Sequence, residues 1–114
     1  MPHIIVEYSD SLIVDFKIEA LLHDLHENLA GQPTIDKARI KTRAIPLQHC
    51  IVGDDDALNE MIHIAVKLMP GRDDALRKTI AESLQKIAYR HVQRHPDCKI
   101  TAEVMELDKA SYCA

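Results

Sequence analysis

Two short stretches decide how this chain folds: Pro2-His3-Ile4-Ile5-Val6 at its start and Ile62-His63-Ile64-Ala65-Val66 further on. They echo each other at an offset of sixty residues. Both are rich in the β-branched residues that suit strands. Each is followed by a polar break, then by apolar residues at helical spacing, then by a further extended run. A chain that reads strand, helix, strand twice over points to an internal duplication.

Working outward, residues 2 to 8 read as the first strand. Pro2 suits its first position, where a missing N–H costs little. From about Val14 the period becomes helical, with Ile18, Leu21, Leu22, Leu25 and Leu29 on one face. Gly31, followed by Pro33, stops that helix. Residues 38 to 47 alternate, with Ala38, Ile40, Thr42 and Ala44 on one side and Arg39, Lys41, Arg43 and Ile45 on the other. This predicts a strand with one cationic face. A solvated sheet face and an anion-binding face account for those cations equally well. Residues 61 to 69 predict a third strand, broken by Pro70-Gly71. Arg72-Asp73-Asp74 then opens a second helix, with acids where the helix dipole favours them. Its apolar face is Leu76, Ile80, Leu84, Ile87 and Ala88, and it ends near His95-Pro96. Residues 98 to 107 give a fourth strand, and a short tail follows.

These elements predict an α+β fold. Two β-α-β units, about 2–48 and 61–107 within one domain spanning 1–114, form a four-stranded sheet. Right-handed crossovers place both helices on one face. The other face is left bare, which predicts an oligomer.

Composition narrows the function. The chain has 114 residues, enough for one compact domain and too few for two. With no tryptophan and a single phenylalanine, Phe16, the core must be aliphatic. A net charge of −4 argues against a nucleic-acid partner, which calls for a basic surface. No apolar run approaches the ~20 residues of a membrane span, and no signal-peptide pattern opens the chain. Cys50, Cys98 and Cys113 are odd in number and widely spaced, which suggests reduced thiols and a cytoplasmic protein.

The chemistry centres on Met1-Pro2. An initiator methionine before proline is normally removed, which leaves a secondary amine at the tip of a strand. Termini usually fray, so a terminus that starts a core strand is unusual. Burial and nearby cations both disfavour a charged amine, so this one is expected to be neutral near pH 7 and able to act as a base. Only one of the two equivalent strand starts carries it, because the second has Ile62. A cation at Arg72 is mildly unfavourable before a helix, and this favours a role for it in a site. Arg39 reads as a surface charge. His23 with His26, and His91 with His95, have a spacing that suits zinc. No acidic or cysteine partner is evident, so solvated histidines are the better reading. The acidic run Asp54-Asp55-Asp56 reads as a solvated turn rather than a metal loop. Cys50 lacks a histidine and acid constellation and reads as a buried or incidental thiol. Tyr8 and Tyr112 are candidate hydrogen-bond donors to a site.

Pro2 after Met1, the Pro-His-Ile-Ile-Val-Glu-Tyr-Ser strand, the Ile40-Lys41-Thr42-Arg43-Ala44 strand and the Gly71-Arg72 turn together resemble the tautomerase superfamily. Within it, they are most similar to the 5-carboxymethyl-2-hydroxymuconate delta-isomerases. The resemblance covers nearly the whole chain. It implies a homotrimer whose bare sheets pack around a central axis, as in macrophage migration inhibitory factor-like proteins. It implies Pro2 as the catalytic base, with Arg43, Arg72 and Lys41 binding a small anionic unsaturated oxo or hydroxy acid from aromatic breakdown. No metal or organic cofactor is implied. Lys41 departs from the family pattern, which has arginine there; lysine keeps the charge and loses the bidentate fork. The alternatives are a proline-dependent hydratase, dehalogenase or decarboxylase, and a non-catalytic binding trimer.

Overall fold

The computed structural model describes residues 1–54 and 57–114. The acidic run falls partly on Asp55 and Asp56, which lie outside the described residues. The elements run β1 (His3–Ser9), α1 (Ile18–Ala30), β2 (Lys41–Leu47), β3 (Glu60–Leu68), α2 (Asp74–His91) and β4 (Cys98–Glu106). Short 3-10 turns at Asp10–Val14 and Lys37–Arg39 precede α1 and β2. The sheet order is β2-β1-β3-β4. β1 is parallel to β2, β3 is parallel to β4, and β1 meets β3 antiparallel in the centre. Four strands with two helices against one face is the expected architecture.

The register carries the repeat. His3 pairs with Lys41 and His63 pairs with Thr101, so each half joins its strands at the same separation, 38 residues (41 − 3 and 101 − 63). Positions sixty apart are therefore equivalent: His3 with His63, Lys41 with Thr101, and Arg43 with Glu103.

Strand alternation sorts the residues into two faces. Ile4 and Val6 of β1, with Ile62, Ile64 and Val66 of β3, are wholly buried. They pack against Leu21, Leu25 and Leu29 of α1 and Ile80, Leu84 and Ala88 of α2 in one cluster. Burying each large aliphatic side chain contributes about 1.5–3 kcal/mol. The opposite face carries His3, Glu7, Lys41, Arg43, His63, Lys67, Lys99 and Glu103, and no helix among the described residues covers it. No helix among the described residues is long and apolar enough to cross a membrane.

Three boundaries differ from expectation. Residues 10–14 form a 3-10 turn, and α1 begins only at Ile18. Between them Phe16 is buried edge-on to Tyr8, 5.8 Å between ring centres, which holds the chain out of helix. The second strand starts at Lys41 rather than at 38. The Asp36 carboxylate accepts from Ala38 N–H at 3.1 Å, closing a side-chain turn that takes Arg39 off the strand face. Helix α2 stops at His91, because the chain leaves helix to carry His95 to an acidic pair.

That pair also corrects the reading of His95 as solvated, whereas His23 is exposed as expected. His95 Nε2 lies 2.5 Å from Asp15 Oδ1, and its Nδ1 lies 2.8 Å from Glu60 Oε1. Glu60 is buried and also accepts from Ser11 Oγ at 2.7 Å. An imidazolium donates from both ring nitrogens, so two carboxylate oxygens facing them favour the charged ring. The bond to Asp15 raises the His95 pKa, helped by Glu60 and opposed by burial; the same bond lowers that of Asp15. Likewise His91 meets Asp24 of α1 at 2.7 Å, and His26 meets Thr42 at 2.7 Å. Nothing local to either helix reveals these partners.

A raised histidine pKa stabilises the fold fully below the unfolded value of about 6.5, and this is lost as pH rises through the folded value. A depressed Asp15 acts at the other limb, losing its contribution as pH falls through its folded value. His95→Gln is expected to cost about 1.5–3 kcal/mol at about pH 6. It should also flatten the alkaline decline of stability in urea unfolding; a parallel pH profile would remove His95 from that role.

Candidate functional site

Pro2 is buried just before β1, and its carbonyl accepts from Lys41 N–H at 2.9 Å. That bond seats the start of β2 beside it. Proline has no N–H to offer the ladder, so its nitrogen carries no structural hydrogen bond. A cavity of about 350 Å³ opens at this point, lined by Met1 and Pro2, by Thr34, Asp36 and Arg39 before β2, and by Leu68, Met69 and Arg72 after β3.

Arg72 and Lys41 are held by backbone carbonyls, whereas Arg39 Nε lies 3.5 Å from Asp36 Oδ2. Arg72 donates from Nη1 to Met69 O at 3.2 Å and from Nη2 to Thr34 O at 3.4 Å, while its buried Nε has no partner among the described residues. Two unusual backbone positions support this arrangement. Gly71 has φ +126°, and Thr34 has φ +67°. A non-glycine residue in the left-handed region costs of order 1–3 kcal/mol and persists where its surroundings hold it. Here Thr34 presents its carbonyl to Arg72. Just beyond, Asp73 caps α2 by accepting from Leu76 N–H at 2.8 Å.

The Met1 amine donates to Arg39 O at 3.1 Å, and Lys41 Nζ donates to the same carbonyl at 3.3 Å. Burial lowers the pKa of this amine, Lys41 and Arg39 lower it further, and Asp36 opposes them.

The residues singled out from sequence therefore divide. Pro2 and Arg72 line one cavity. Lys41 and Arg43 do not; their side chains project from the uncovered face beside it. Arg43 Nη1 lies 3.1 Å from His3 Nδ1, and His3 Nε2 lies 2.8 Å from Tyr112 Oη. Arg39, read as a surface charge, is exposed and paired with Asp36 at 3.5 Å, and it also borders the cavity. The signal for it was the Asp36-x-Ala38 turn. Tyr8 is buried in the core against Phe16 and is not in the cavity. Cys50 is exposed rather than buried, with its Sγ 3.8 Å from Ser9 Oγ. Cys98 is buried, and burial pushes its thiol up to about 11.

The arrangement places an apolar strand start, two guanidinium-bearing walls and a single carboxylate around a space suited to a small anion. Its weak point is the turn that aims Arg72. Gly71→Ala introduces a side chain at a φ that such residues rarely adopt. It is expected to lower the unfolding free energy by about 1–3 kcal/mol in urea; an unchanged midpoint would mean that the turn relaxes freely.

Comparison with known proteins gives a consistent result. No curated protein sequence matches the chain. Among solved structures it is similar to a 5-carboxymethyl-2-hydroxymuconate isomerase from Deinococcus radiodurans R1, with 23% identity and a TM-score of 0.87 over 99% of this chain and 87% of that one. It is similar to a 5-carboxymethyl-2-hydroxymuconate delta-isomerase, with 16% identity and a TM-score of 0.86 over 100% and 87%. It also resembles a fused 4-OT solved as a symmetric trimer, with 15% identity and a TM-score of 0.75 over 92% and 86%. At these identities the structures speak for the fold. Residues 2–113 match the family model for 5-carboxymethyl-2-hydroxymuconate isomerase, and the chain belongs to that family of isomerases.

Proposed function

We propose that the chain, once Met1 is removed, uses the secondary amine of Pro2 as a general base to shift a double bond in a small 2-hydroxymuconate-type acid. The observation that carries this reading is the shared cavity of a buried Pro2 and an Arg72 whose Nε is unpartnered. Met1 is one wall of that cavity, so its loss opens the space onto the new amine. An amine at Pro2 would sit where burial, Lys41 and Arg39 already lower the pKa of the Met1 amine. It would be neutral, and therefore basic, over more of the physiological range.

The reaction follows from that amine and those cations. The base takes the proton of the 2-hydroxyl group. The C–O bond becomes a carbonyl, the conjugated double bonds shift along the chain, and the prolinium returns the proton to a distant carbon. Nothing is gained or lost, so neither oxidant nor cofactor is required. Arg72 and Arg39 would hold a carboxylate and offset the charge that develops on the 2-oxygen. Lys41 and Arg43 would meet a further carboxylate at the uncovered face. That face, like the resemblance to a trimeric fused 4-OT, supports a homotrimer. A substrate from aromatic (homoprotocatechuate) breakdown and a cytoplasmic setting fit a small multiply charged acid.

Pro2→Ala is expected to lower kcat/KM for 2-hydroxymuconate, followed by ultraviolet absorbance, about 10²–10⁴-fold while leaving the assembly intact. Full activity in that variant would end the mechanism. The mass of the active protein should lack Met1, and its kcat/KM should rise with pH through a group below the ordinary α-amino range of about 7.7–8.0. Arg72→Ala should cost about 10²–10³-fold, and Arg72→Lys should restore only part of it. An unchanged kcat/KM would place Arg72 outside the site.

A further inference from the structure

We infer that His3 is a positioning residue, a neutral imidazole that holds the Arg43 guanidinium with one ring nitrogen and the tail residue Tyr112 with the other. A guanidinium has donors and no acceptor. Contact at 3.1 Å therefore requires a lone pair on His3 Nδ1. The proton of the neutral ring must then be on Nε2, which donates to Tyr112 Oη at 2.8 Å. The phenol accepts there and keeps its own O–H free to donate. The rings meet edge to face, with centres 5.9 Å apart.

The tail is built to reach this point. Leu107 N–H donates to Leu68 O at 2.7 Å, beside the Pro2 cavity. Asp108 then folds the chain back, accepting from Ser111 Oγ at 2.7 Å, while its carbonyl accepts from Tyr112 N–H at 2.9 Å. The charged groups that act on the ring are cations: Arg43 and Lys41 from β2, Lys67 from β3 and the N-terminal amine. Burial, then these four, lower the His3 pKa, in keeping with the acceptor role. The equivalent His63 lies opposite Glu103 instead, with Nε2 2.7 Å from Oε2. The two equivalent histidines thus use their Nδ1 differently: that of His3 faces the Arg43 guanidinium, whereas that of His63 lies 2.6 Å from Thr101 Oγ1.

For an isomerase acting on a dicarboxylate, this fixes the cation that meets the second carboxylate. That consequence rests on the function proposed above, whereas the tautomer does not. Nitrogen-15 NMR of the histidine-labelled, full-length protein reads the tautomer without turnover. His3 is expected as the Nε2–H form at neutral pH, titrating below the free-histidine value of about 6.5. An Nδ1–H form, or an imidazolium at neutral pH, would overturn the inference.

The kinetic test compares 2-hydroxymuconate, with two carboxylates, against phenylenolpyruvate, with one. His3→Leu should raise KM for the dicarboxylate about tenfold and change that for the monocarboxylate little. The KM of the unaltered protein for the dicarboxylate should rise at acid pH as His3 gains a proton and ceases to accept; His3→Asn, which keeps an acceptor near the Nδ1 position, should recover most of the loss and abolish that rise. Equal effects of His3→Leu on both substrates, or no rescue by His3→Asn, would show that His3 does not position Arg43. Should His3→Leu fail to fold, His3→Asn and the tautomer still decide the question.

Discussion

One backbone hydrogen bond, from Lys41 N–H to Pro2 C=O, sets the rest of the site. It sets the register of β2 against β1, and with it the place of every cation that follows. The bond uses the proline carbonyl and leaves the nitrogen out of the ladder. Most residues at a strand start would contribute both groups, and their nitrogen would then be committed to the sheet. Proline is a residue that can begin this strand and keep its nitrogen free of structural work.

The site is assembled from turns rather than from strands or helices. Arg39 reaches it because Asp36 closes a side-chain turn, and Arg72 reaches it because Gly71 adopts a φ closed to most residues. The strands and helices supply the rigid frame on which these turns stand. At the far end of the sheet, Asp15, Glu60 and His95 tie the 3-10 turn, β3 and the α2–β4 connection together. The two ends use the same residue types differently. One satisfies its charges in full, whereas the other leaves a guanidinium nitrogen unpaired.

The frame was legible in the sequence because periodicity is local. The helical spacing of Leu21, Leu25 and Leu29, and of Ile80, Leu84 and Ala88, can be read without knowing what they pack against. The echo of His3-Ile4 in His63-Ile64 gave the repeat. What could not be read were partnerships across long separations. Nothing near His95 announces Asp15, eighty residues away. The start of β2 was misread because Arg39, Lys41 and Arg43 alternate perfectly, and a single aspartate at 36 outweighs that pattern. Pro2 and Arg72 were singled out from their chemistry and from resemblance, and both line one cavity. Arg39 is the exposed charge it was read as, but its place beside the cavity was not legible because a turn, not a strand, aims it.

The equivalence of Arg43 and Glu103 has an electrostatic consequence. Two identical halves joined by symmetry must carry the same charge at matching positions. Joined in one chain, they are free to differ, and here Lys41 and Arg43 make the edge at β2 cationic where Lys99 and Glu103 leave the edge at β4 balanced. The uncovered face therefore carries a lateral gradient of potential, although the chain as a whole has a net charge of −4. An approaching polyanion is repelled by the molecule at long range and drawn to one edge at short range. Beyond a Debye length of about 8 Å at physiological salt the gradient is screened. Such a gradient can act only as a local funnel, orienting an anion in the last step before contact rather than gathering it from solution.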